Sequence, residues 1–407
     1  MSEWIKQTFG ELVDFHDHQR IPLSSKVRAT RKGQYPYYGA QEIVDYIDDY
    51  IFDGEYVLIA EDGANLITRN KPIATLAKGK FWVNNHAHII RNKPHADLRF
   101  LLYLLNAHDV SGYITGSAQP KLSQERLASI PFSVPQNRAY QKKVADILTA
   151  LDDKIELNRR LNDNLEAMAQ ALYDYWFVQF DFPDENGKPY KSSGGKMVWN
   201  DRLKREIPEG WSAQPLFDVA SVLYGYPFKT ELFTENEKDL PVIRIRDILD
   251  NTFSAYSSEP IHGKYLTQKG DLLIGMDGNF HLNYWHRDGD GVNQRVVRIR
   301  SCTSTLSNIQ LKLELAPYIK MREMNVTRST VGHLGDKDFK ERYIVVAPET
   351  STFNPAKALN ALLERMTSLV AETQKLTKQR DFLLPLLMNG QVQVKPQGEL
   401  NYRLADD

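Results

Sequence analysis

From Gln136 to about Trp176 apolar side chains recur at nearly every third or fourth position: Val144, Leu148, Leu151, Ile155, Leu165, Ala169, Leu172 and Trp176. That spacing lines them along one face of a long helix. Asn158 and Asn162 interrupt the seam. Asparagines buried there would fix the register of a helix pair at a cost in stability, and asparagines facing solvent are the plainer alternative. A second seam follows Pro355, running Leu359, Leu362, Met366, Leu369, Thr373, Leu376, Arg380, Leu383 and Leu387, and Gly390 stops it. A helix of about 40 residues is roughly 60 Å long. A leucine stripe of that length needs a partner. The two helices are therefore expected to pack antiparallel on each other as a spacer, with a globular unit at each end.

The segments between the seams carry short apolar runs broken by Gly, Asn and Asp, such as Tyr56-Val57-Leu58-Ile59 and Val242-Ile243-Arg244-Ile245. They read as mixed α/β units on irregular sheets. Helices are expected inside them at Asp97 to Ala107 and Ala316 to Met324. The units also repeat. Thr115-Gly116-Ser117-Ala118-Gln119-Pro120-Lys121-Leu122, then Leu127 and Ile130 to Pro135, is echoed by Thr327-Arg328-Ser329-Thr330-Val331-Gly332-His333-Leu334, then Phe339 and Tyr343 to Pro348. Each is a polar loop, a helical turn and an apolar strand ending at proline. Val57 to Gly63 and Leu272 to Gly278 both run from a buried strand into an Asp-Gly turn, and Val83-Asn84-Asn85-His86 pairs with Val292-Asn293-Gln294-Arg295. Three echoes in one order predict an internal duplication. The expected fold is α+β, in segments 1–135 (first unit), 136–180 (central helix), 181–209 (linker), 210–350 (second unit), 351–390 (distal helix) and 391–407 (C-terminal tail).

Composition narrows the function. No run approaches 18 apolar residues, and Met1 to Gln7 lacks a secretory pattern. Cys302 is the sole cysteine, which excludes an internal disulfide and a multi-cysteine zinc site. These features predict a cytoplasmic protein without a membrane span. The 51 basic residues face 52 acidic ones, a net charge of −1. A free-standing nucleic-acid binder normally has a basic excess. DNA binding would thus rely on clustered cations or on partner subunits.

Catalytic signatures are missing. Ser192-Ser193-Gly194-Gly195-Lys196 lacks the spacing of a phosphate loop, and Pro183 to Lys188 is a turn-rich stretch. Asn354-Pro355-Ala356 reads as a helix start with proline in the first turn. His86 and His88 alternate on a strand, and His281 and His286 lie near Asp288 and Asp290, yet no full ligand set has metal-site spacing. Neither catalysis nor a metal is expected.

Leu148-Thr149-Ala150-Leu151-Asp152-Asp153-Lys154-Ile155-Glu156-Leu157-Asn158-Arg159-Arg160, Leu165 to Leu172 and Trp176-Phe177-Val178 resemble the central conserved helix of the specificity subunits of type I restriction–modification systems, the HsdS family. Ser193 to Trp199 running through Ile207-Pro208-Glu209-Gly210-Trp211 is similar to that family's lead into its second recognition domain, and Leu383 to Gly390 to the end of its distal helix. The resemblance spans the chain and is strongest in the helices. It implies a non-catalytic subunit with two target recognition domains that binds double-stranded DNA and joins two methyltransferase subunits. The assembly would methylate adenines in a split, asymmetric target, and motor–nuclease restriction subunits would join it for phage defence. S-adenosylmethionine, ATP and magnesium would sit in the partner subunits, with no cofactor in this chain.

Base reading needs Arg or Lys for guanine and Asn or Gln for adenine. The loop before each unit's last strand offers Ser117, Gln119 and Lys121, then Arg328, Ser329 and His333. The turns after the Asp-Gly pairs add Asn65 and Arg69, then Asn279, His281 and Tyr284. Helix pairing or partner docking falls to Leu148, Leu151, Ile155, Leu165, Leu172, Trp176, Leu362, Met366, Leu369, Leu376 and Leu383. The rival function is a two-headed scaffold binding RNA or protein. Its one hint is Tyr35-Pro36-Tyr37-Tyr38 beside Arg31 and Lys32.

Overall fold

The computed structural model describes residues 3–116, 119–325, 332–349, 353–394 and 400–402. The chain forms two compact units: 1–154 with 376–407, and 155–375. Among the described residues, no helix is long and apolar enough to cross a membrane.

The first unit is built on a six-stranded sheet in the order Val13–Phe15, Ala87–Asn92, Phe52–Ala60, Ala74–Val83, Lys32–Tyr38, Ile43–Ile47. The first four strands pair antiparallel, and Lys32–Tyr38 joins them in parallel. Tyr56 to Ala60 is buried without alternation because both faces of the central strand are covered. The helix Leu98–Ala107 packs here; the Asp97 carboxylate caps it by accepting the N–H groups of Arg99 and Phe100. Trp4–Thr8 pairs with Pro131–Pro135.

The second unit repeats this plan. One of its two four-stranded sheets runs Ala220–Tyr224, Val296–Ser301, Leu272–Gly275, Leu282–Tyr284, all antiparallel, in the order of the first unit's opening four strands. Ser212–Pro215 pairs with Tyr343–Val346 as Trp4–Thr8 does with Pro131–Pro135. The helix Asn308–Met324, capped by Ser307, occupies the place of Leu98–Ala107. It starts well before the Ala316 expected from sequence, since Ile309, Leu311 and Leu315 are already core residues.

The two seams are helices at Arg138–Tyr173, continued by a π-helical turn at Asp174–Val178, and at Pro355–Met388. They pack antiparallel. Arg380 donates to Asp152 at 2.9 Å, and Asn158 donates to Glu372 at 2.9 Å. Leu148, Ile155, Trp176, Met366 and Leu369 are buried, while Leu151, Leu165, Leu172, Leu362, Leu376 and Leu383 are half-buried.

Two segments are more structured than their sequence suggested. The expected linker folds onto the second unit: Phe182 stacks on Tyr190 and Trp211, each at 4.8 Å, and Met197–Asn200 forms a hairpin with Arg205–Pro208. The expected tail begins with Val392–Val394, whose Val392 and Val394 join the first unit's core.

Candidate nucleic-acid interface

Each unit holds a junction where the Asp-Gly turn, a tight turn between two strands and the last loop meet. In the first unit Glu61 N–H donates to the His86 carbonyl, Leu122 N–H to the Glu61 carbonyl and Gly63 N–H to the Pro120 carbonyl. In the second, Met276 N–H donates to Arg295, Leu334 N–H to Met276 and Gly278 N–H to Gly332, bond for bond the same. Asn84 and Asn293 shape these strand-connecting turns alike, each side-chain oxygen accepting the N–H two residues on, at 2.8 and 3.3 Å. The glycines are required by positive φ, 112° at Gly63 and 69° at Gly278.

The side chains on this frame are ionisable and paired. Asp62 meets His86 Nδ1 at 2.7 Å. Its counterpart Asp277 meets Arg295 at 2.8 Å and His333 Nδ1 at 2.6 Å. Lys121, at the place of His333, reaches Glu61 instead, at 3.1 Å. Beneath lies a buried network: His88 contacts Asp17 at 2.6 Å and the Leu122 carbonyl at 2.8 Å, and Arg20 donates to Glu61 at 2.8 Å. Burial pushes the Asp17 carboxyl up, but the hydrogen bond and charge of His88, the Ile89 N–H and the charge of Arg20 together hold it below its ordinary range. Asp17, Glu61 and His88 converge within 4.8 Å, a spacing a metal could use, but Arg20, Lys121 and the Leu122 carbonyl already occupy these groups.

The sequence-predicted readers divide. Gln119, Lys121, Asn279 and His333 are exposed, and His281 is half-exposed beside the second Asp-Gly turn. Ser117, Arg328 and Ser329 lie outside the described residues. Asn65 clamps its own turn, accepting Lys71 N–H and donating to the Lys71 carbonyl, both at 2.9 Å. Arg69 spends its guanidinium on the carbonyls of Asn106 and His108 at 2.7 and 3.0 Å, and burial lowers its pKa. Tyr284 is a correction: it is buried in the core, with Lys312 Nζ 4.3 Å over its ring, and burial drives its hydroxyl pKa up. What sequence reasoning missed is the pairing of His86 with Asp62 and of Arg295 with Asp277; the echo of Val83–His86 with Val292–Arg295 was the signal for it.

The cations beside Tyr35 to Tyr38 are ion-paired, Arg31 with Asp48 and Asp49 and Lys32 with Asp45.

Comparison with known proteins points to one family. A "Type I restriction modification DNA specificity domain" matches residues 1–167. The type I restriction enzyme MjaIX specificity subunit of Methanocaldococcus jannaschii is 25% identical over 91% of this chain and 90% of its own length. Over nearly its whole length the chain is similar to the type I restriction–modification specificity subunits. The HindI specificity subunit of Haemophilus influenzae is 24% identical over 74% of this chain and 79% of its own length. A type I restriction–modification S subunit from M. genitalium shares the fold, with a TM-score of 0.61 at 18% identity over 95% of this chain and 96% of its own. The matched family model describes a DNA specificity domain, and each of these relatives is the specificity subunit of a type I restriction enzyme.

Proposed function

We propose that the two units read the two parts of a split, asymmetric double-stranded DNA target, one unit to each part. Gln119 and Lys121 face bases in the first part, and Asn279, His281 and His333 in the second. The paired helices take two methyltransferase subunits, and restriction motor–nuclease subunits join that core in the cytoplasm. The observation that carries this reading is the duplicated junction, which repeats its backbone bonds one for one while its exposed side chains differ. A constant frame with variable polar heads suits two sites that read different sequences. The test is co-expression with the methyltransferase subunits, followed by sequencing of methylated adenines in host DNA. A split, asymmetric motif that disappears with this subunit is the expected result; unchanged methylation in its absence contradicts the reading.

A further inference from the structure

We infer that His86 and Arg295 are DNA-contacting residues held in place by the carboxylates of Asp62 and Asp277, one such pair in each unit. The assignment rests on the half-site reading above and names the groups that carry it. Both pairs occupy one position in the duplicated frame, the nitrogen-bearing side chain from the strand-connecting turn and the carboxylate from the Asp-Gly turn.

The pairs are layered. The side chains of Asp62 and Asp277 are 19% and 24% exposed, whereas those of His86, Arg295 and His333 are 47%, 58% and 53% exposed. The acid lies beneath and the imidazole or guanidinium stands outermost, so DNA approaching this surface meets the nitrogen-bearing heads first. Half-exposed ion pairs of this kind add little to folding stability. The junction is already fixed by its backbone bonds, so the distinctive effect of the carboxylate is on where the cation points. The heads also differ in kind. An imidazole offers a single short-reach donor, while a guanidinium offers a two-pronged fork suited to guanine or phosphate. Different heads on identical mounts are what two units with different half-sites require. Asp277 holds His333 as well, which ties the end of the last loop to the same anchor.

The experiment uses the complete complex of this chain with its methyltransferase subunits and reads the adenine-methylation motif and rate for each variant. Arg295→Ala is expected to relax or weaken the second half-site by roughly 5- to 150-fold, the range of one good base contact. If the guanidinium holds phosphate instead, binding weakens uniformly and its salt dependence falls by about one counterion. Asp277→Asn should broaden the same half-site at an unchanged thermal midpoint, and Asp277→Glu should restore it, which a merely structural role would not produce. His86→Ala should move the first half-site alone. A wild-type motif, rate and salt dependence in both Arg295→Ala and Asp277→Asn would overturn the assignment while leaving the half-site reading intact. Absence of any split motif with the wild-type chain would sink that reading, and the assignment with it.

Discussion

Asn158 on the first long helix donates its side-chain amide to Glu372 on the second at 2.9 Å, while its own carbonyl oxygen is buried without a hydrogen-bond partner. The residue is fully buried in the helix pair. A buried polar atom left unsatisfied costs about 1–3 kcal/mol, and such a residue persists where it fixes how helices meet. Asn158→Leu is accordingly expected to leave unfolding stability unchanged or raise it by about 1 kcal/mol. Asn158→Asp buries a second carboxylate against Glu372 and should lower it by about 3 kcal/mol. Denaturant unfolding of both variants checks the pair.

Arg69 has the chemistry of a base reader and the position of a staple. Removing its guanidinium leaves the Asn106 and His108 carbonyls without this donor, at a cost of about 1.5–3 kcal/mol for the charged bonds. Arg69→Ala should therefore lower the first unit's stability in denaturant while the methylation motif stays the same. A changed motif at unchanged stability would return Arg69 to the DNA surface.

The duplicated fold was legible because buried strands and helix seams write themselves as apolar periodicity, as in Val57 to Ala60 and Leu148 to Ile155. The site was legible only as loops. Asn65 and Arg69 carry the same donors whether they bond a base or their own backbone, and sequence does not distinguish the two. Tyr284 followed a turn and looked exposed, yet strand pairing with Leu272 turns it into the core. Val392 and Val394 pack at the first unit, a contact with partners far away in sequence and therefore silent in any local pattern.

Helix pairing and partner docking separate on exposure. Leu148 is fully buried, so Leu148→Ala should cost about 2–5 kcal/mol of stability. Leu157 and Met168, 42% and 52% exposed on the same helix, are apolar side chains left outside the pair. Leu157→Ser with Met168→Ser should weaken co-purification with the methyltransferase subunits at an unchanged thermal midpoint. Full co-purification of that double variant would move docking elsewhere.

Glu314 gives the second unit a pH signature. Burial pushes its carboxyl up to about 7, only partly offset by the Gln310 amide at 2.7 Å and the Val345 N–H at 3.3 Å. A raised carboxyl favours the folded state below its ordinary value and loses that contribution as pH rises through about 7. The stability of wild type relative to Glu314→Gln should fall between pH 5 and pH 8, by on the order of 1–3 kcal/mol. His286, whose pKa burial lowers to about 4, runs the other way: its contribution is lost as pH falls below the ordinary histidine value. The difference between the two proteins, rather than either curve alone, is therefore the quantity to measure. A flat difference would place Glu314 in contact with water.

The central claim is that each unit reads its own half of the target. The most direct test replaces Gln119 and Lys121 together by alanine in the assembled methyltransferase and sequences the adenines it methylates. A motif altered in one half, with the other half and the spacing between them kept, is the predicted result. Loss of both halves together, or a motif identical to wild type, would contradict the account.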